Sequence, residues 1–160
     1  MNTTLPKITL GNAVEAIDAS IANVSNGIDL NDSTIGEITF AVNNHKWIRD
    51  YLIGLPVSHG LDKSINFVNY LSRLANAQES YAFDTVLAMF HYEKEELDLV
   101  NSYVESAQKQ NPNYELLFLI KRVLGAGWPS DSFAKMRNEL ASKVNSEIAN
   151  CASDVIEEIN

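Results

Sequence analysis

Ser80-Tyr81-Ala82-Phe83-Asp84-Thr85-Val86-Leu87-Ala88-Met89-Phe90-His91-Tyr92 is apolar on nearly every side of a helical wheel. Tyr81, Phe83, Val86, Leu87, Met89 and Phe90 do not fit one narrow stripe. A helix of that kind belongs at the centre of a bundle. The segments around it repeat apolar residues at spacings of three and four, the signature of amphipathic helices. Upstream these are Val14, Ile17, Ile21 and Val24; Ile35, Ile38 and Val42; Trp47, Ile48, Tyr51, Leu52 and Leu55; then Leu61, Ile65, Val68 and Leu71 or Leu74. Asn12, Asp32 or Ser33, and Ser130 are expected N-caps. Asn26-Gly27, Asn43-Asn44, Gly54 with Pro56, Val57-Ser58-His59-Gly60, Asn111-Pro112-Asn113 and Gly125-Ala126-Gly127 read as breaks. A helix is expected from about Glu95 to Gln110 and another from Tyr114 to Leu124.

The last segment carries Phe133, Met136 or Arg137, Leu140, Val144, Ile148, Cys151 or Ala152, Val155 and Ile159, with no Gly or Pro inside. Read as one helix it spans about 40 Å, as long as the body of a domain of this size. No strand-like alternation persists anywhere. The expected fold is all-α: a single-domain bundle of six to eight helices with a long C-terminal helix. Residues 1–56 would form the N-terminal helices and residues 61–160 the remainder.

The 160 residues include 12 Lys+Arg and 21 Asp+Glu, a formal net charge of -9. A chain 46% hydrophobic and 21% charged has the composition of an ordinary globular domain. The acidic balance argues against direct nucleic-acid binding, which needs clustered Lys and Arg, and against anionic lipid. The most apolar run, Leu116 to Ile120, is far shorter than the roughly 20 residues a bilayer requires. Residues Met1 to Lys7 lack the pattern of a signal peptide. The one cysteine, Cys151, cannot form an intramolecular disulfide. A cytoplasmic location is therefore expected.

Ser80 to Met89, Glu95 to Ala107, Asn111-Pro112-Asn113-Tyr114-Glu115-Leu116-Leu117 and Gly127-Trp128-Pro129 follow one another in a distinctive order. Together with Ile48-Arg49-Asp50-Tyr51-Leu52, this order resembles the C-terminal helical half of an actinobacterial family, domain of unknown function 4192. The resemblance covers about residues 34–137. It implies a helical architecture and an origin in actinobacteria, their phages or plasmids; it implies no activity. The family's Gly-Asp-Gly-like turn is replaced here by Lys94-Glu95-Glu96, its N-terminal α/β half has no counterpart, and the last helix runs past its usual end.

Candidate chemistry is sparse. His45, His59 and His91 fall in different segments, outside any metal-ligand spacing, and neither a metal nor a cofactor is expected. Cys151 lies on the apolar stripe near Glu147 and Asp154, which would raise its thiol pKa and disfavour nucleophilic use. Arg49 and Asp50 sit inside an apolar helix and read as a structural ion pair, since a buried Arg needs a partner. Acids cluster in Glu93, Glu95, Glu96 and Asp98 against Lys94, and in Glu139, Glu147, Asp154, Glu157 and Glu158 against Lys143. These hold nine of the 21 carboxylates.

The second cluster, Glu139, Lys143, Glu147, Asp154, Glu157 and Glu158, is the candidate interaction surface. The expected function is a non-catalytic protein-interaction module, an accessory protein of phage or plasmid that binds and modulates, or inhibits, another protein. A basic partner fits the acidic face, as would a second copy of the chain through the last helix. One alternative is a small enzyme built from His91, Glu93, Arg49 and Asp50. Another is a structural, oligomer-forming helical protein.

Overall fold

The computed structural model describes residues 7–159, so the reading of the first six residues lies outside it. The described residues form α1 (Leu10–Ser25), α2 (Asp32–Asn44), α3 (Lys46–Ile53), α4 (Leu55–His59), α5 (Leu61–Leu74), α6 (Tyr81–Glu93), α7 (Leu97–Gln110), α8 (Glu115–Ala126) and α9 (Ser132–Asn150). Eight of these have eight residues or more; α4 is a single turn. The fold is an all-α bundle with a long last helix.

α6 is its axis. Every residue from Ala82 to Tyr92 is buried, as a helix apolar all round demands. α5, α7, α8 and α9 pack around it. One hydrophobic cluster extends from Ile8 through Phe67, Phe83, Phe90 and Leu117 to Ile156.

The helix starts differ from expectation by a few residues. Thr9, not Asn12, caps α1, its hydroxyl accepting from the Asn12 amide at 3.1 Å. Asn31, not Asp32 or Ser33, caps α2 by accepting from the Thr34 amide at 2.8 Å. Asp131 rather than Ser130 precedes α9. Pro56 starts α4 rather than stopping α3, because a proline in the first turn loses no helical hydrogen bond. The break comes at Gly60, whose φ of 81° suits a residue without Cβ. Gly127 closes α8 in the left-handed conformation at φ 63°.

The main correction concerns the C-terminus. α9 ends at Asn150, and the stripe does not continue as helix to Ile159. Residues 151–159 turn back across the start of α1. Gly11 donates to the Ala152 carbonyl at 2.9 Å, Leu10 to Asp154 at 3.0 Å, and Ile156 to Ile8 at 2.9 Å. Ile156 is buried, while Val155 and Ile159, which fell on the extrapolated stripe, are exposed. Among the described residues α9 has no projecting end, so Glu157 and Glu158 lie beyond its dipole.

Candidate functional site

The six residues of the acidic surface lie on two elements. Glu139, Lys143 and Glu147 follow one another at four-residue intervals on α9, Glu139 and Lys143 exposed and Glu147 half-buried. Asp154, Glu157 and Glu158 are exposed on the returning segment. Cys151 joins the two parts. Burial pushes its thiol above the ordinary value, and Asp154 and Glu147 add to the shift. Apolar side chains are interleaved with these charges: Leu140, Val155 and Ile159 are 42%, 56% and 68% exposed.

Arg49 and Asp50 do pair. Arg49 Nε and Nη2 donate to one Asp50 oxygen at 3.1 and 3.0 Å. Burial pulls the guanidinium pKa down, but Asp50 and Tyr114 outweigh it and the net direction is upward. Arg49 thus reaches from α3 toward Tyr114, the residue that precedes α8. Burial raises the Tyr114 pKa to about 12 despite the nearby Arg49.

Of the four residues named for the enzyme alternative, Arg49 and Asp50 stand together as a pair, while His91 and Glu93 have other partners. The His91 ring stacks on Tyr103, 5.5 Å between centroids, with Nδ1 3.2 Å from Glu96. Glu93 binds Arg137 of α9. Arg49 lines a cleft beside α8, whereas Asp50 lines the narrow groove between α3 and α9. Among the described residues, no three His, Cys, Asp or Glu side chains come together as a metal site would require. No helix of the described residues is long and apolar enough to cross a membrane.

Two polar constellations escaped the sequence reading. Asp84, 3% exposed in the first turn of α6, accepts from Ser72 on α5, Ser80 at the head of α6, and Ser106 and Gln110 on α7. An acid inside so apolar a segment is itself the signal, because a buried carboxylate requires donors. Arg137 is the second. Helical spacing offers it only as an alternative to Met136 on the stripe, yet it is 7% exposed and grips Glu93 with two nitrogens.

Comparisons with known proteins add no assignment: no family model, no curated protein and no solved structure matches the chain.

Proposed function

We propose that the protein is a non-catalytic interaction module that binds another protein through the outer side of α9 and the returning C-terminal segment. The observation that carries this reading is the alternation of exposed apolar and acidic side chains there. Leu140 stands beside Glu139, and Val155 and Ile159 stand among Asp154, Glu157 and Glu158. Apolar groups supply binding energy that charges alone do not, since exposed ion pairs contribute little. The carboxylates favour a basic partner and speed its approach. The narrower version of this reading is a cytoplasmic accessory protein that modulates a host or phage protein; the resemblance to domain of unknown function 4192 bears on its phage or plasmid origin alone.

Affinity capture followed by mass spectrometry tests the reading. A partner held by the native chain should be lost from the Glu139→Lys, Glu147→Lys double variant, whose substitutions sit on α9 away from the core. Retention of the same partners by both chains would contradict it. Self-association through the same face is the second reading, and light scattering separates the two.

A further inference from the structure

The chain has one Asn-Gly pair, Asn26-Gly27, at the C-terminal end of α1. Both residues are exposed, and nothing lies within 4 Å of where a Cβ on Gly27 would stand. The amide nitrogen of a glycine is the least hindered backbone nucleophile a chain offers, because no Cβ screens it. The electrophile is the side-chain carboxamide carbon of the asparagine before it. Other asparagines are less well placed for this encounter. Asn101-Ser102 and Asn145-Ser146 lie inside α7 and α9, where helical hydrogen bonds hold the serine amides. Asn111 precedes Pro112, which has no N–H. Asn76 is exposed in the connection between α5 and α6, but Ala77 after it carries a Cβ.

We propose that Asn26 is a modification site, converted to aspartate and isoaspartate through a cyclic imide, and that the conversion loosens the connection between α1 and α2. The Gly27 nitrogen attacks Asn26 Cγ. A C–N bond forms, the Cγ–Nδ2 bond breaks, and the Gly27 amide proton leaves with the departing nitrogen as ammonia. Water then opens the imide ring. Cleavage of the newly formed bond yields aspartate. Cleavage of the original peptide bond yields isoaspartate, with Gly27 now joined through the former side chain. Water is the only co-reactant, and nothing is oxidised or reduced.

The fold restrains the first step. Asn26 has φ -95° and ψ 9°. A ψ near zero turns the Gly27 nitrogen toward the Asn26 amide and away from its Cβ, so attack requires the turn to rotate. That rotation breaks the two bonds that close the helix end, from the Gly27 amide to the Val24 carbonyl at 3.1 Å and from the Ile28 amide to the Asn23 carbonyl at 2.9 Å. The product then works against the same turn. α1 has no basic residue in its last turn, so a carboxylate at this negative end of the helix dipole is unfavourable. Isoaspartate also lengthens the main chain between Asn26 and Gly27. The displacement falls on the Ile28–Asn23 bond and on Leu30, whose amide donates to the Tyr70 hydroxyl of α5 at 2.9 Å.

The test is peptide mapping by mass spectrometry of the full chain, incubated folded and in urea, at neutral and at raised pH. In the folded chain Asn26 should convert ahead of Asn76 and the other asparagines. Conversion should quicken as pH rises, because the attacking nitrogen must lose its proton. The folded chain should convert roughly tenfold more slowly than the chain in urea, the scale of opening one or two hydrogen bonds. Gly27→Ala should slow the reaction severalfold in urea, where no folded turn is at stake. In the folded, converted chain, hydrogen exchange at the Ile28 and Leu30 amides should accelerate while α6 stays protected. Another asparagine converting first, equal rates in the folded and unfolded chains, or unchanged exchange at those two amides would each overturn the proposal.

Discussion

Arg137 of α9 and Glu93 at the end of α6 form a two-pronged ion pair whose side chains are 6% and 10% exposed. Arg137 Nε also donates to the Ile53 carbonyl at 3.0 Å, at the end of α3. One guanidinium therefore ties three helices at the level where α9 crosses the bundle. Its face lies 5.7 Å from the Phe90 ring, which shields it further from water. Breaking a buried pair by removing one partner leaves the other charge without compensation. Arg137→Ala should lose about 3–5 kcal/mol in urea denaturation. The Arg137→Met, Glu93→Leu double variant should recover most of that loss, because two apolar groups leave no orphaned charge. A double variant no better than Arg137→Ala would mean the loss comes from packing.

Asp84 draws its stability from donors, not from a cation. Three hydroxyls and one amide converge on its two oxygens. Asp84→Ala leaves all four facing a hole, and should cost about 2–4 kcal/mol by the combined loss of hydrogen bonds and packing. Asp84→Asn, which keeps one acceptor, should cost less than the alanine variant. Chemical denaturation with both variants checks the order, and the reverse order would refute the role of the network.

His45 gives the fold a mild sensitivity to acid. Its Nδ1 accepts the Trp47 amide at 3.2 Å as the N-cap of α3, a bond available only to the neutral ring. Burial lowers its pKa below the ordinary 6.5, Lys46 lowers it further, and Asp154 partly opposes them. The unfolded chain therefore takes up a proton first as pH falls. The stability this group contributes is complete above pH 6.5 and is lost as pH drops through the depressed folded value. Proton resonances of the His45 ring should titrate below those of free histidine. A midpoint above the free value would contradict the burial argument.

Gly11 sets how closely the C-terminal segment lies on α1. A Cβ there would stand 3.1 Å from the Ala152 carbonyl oxygen and 3.3 Å from the Ala152 Cβ. Gly11→Ala should be tolerated with a small shift of that segment. Gly11→Val should lift it, releasing the bonds at Leu10 and Gly11 and exposing Ile156. Hydrogen exchange at the Leu10, Gly11 and Ile156 amides should then accelerate, while α6 stays protected. Unchanged exchange at those three amides would show that the segment does not depend on this close approach.

The bundle was largely legible because its helices obey a simple period. α5 and α6 follow the expected spans closely, and the breaks at Asn26-Gly27 and Asn111-Pro112-Asn113 fall where expected, whereas α8 continues past Leu124 through Gly125 and Ala126 before Gly127 closes it. The end of α9 was misread for a physical reason. Cys151, Val155 and Ile159 continue the helical spacing by coincidence, while the residue that is buried, Ile156, lies off that stripe. The weak helix formers Asn150, Ser153 and Asp154 were the available signal. The expected Arg49–Asp50 pair joins residues adjacent in the chain, so no long-range information was needed to anticipate it. Arg137–Glu93 and the donors of Asp84 join elements far apart in the chain, and periodicity within one segment carries no information on which residues face each other across a core.

The claim that the outer side of α9 meets another protein is tested most directly by site-specific photo-cross-linking in the native host. A photoreactive phenylalanine analogue would replace Leu140, with Phe118, exposed on α8, replaced as the control position. The account predicts one dominant adduct from position 140, absent from position 118 and lost when Glu139 and Glu147 are changed to Lys. The same adducts from both positions, or none from position 140, would contradict it.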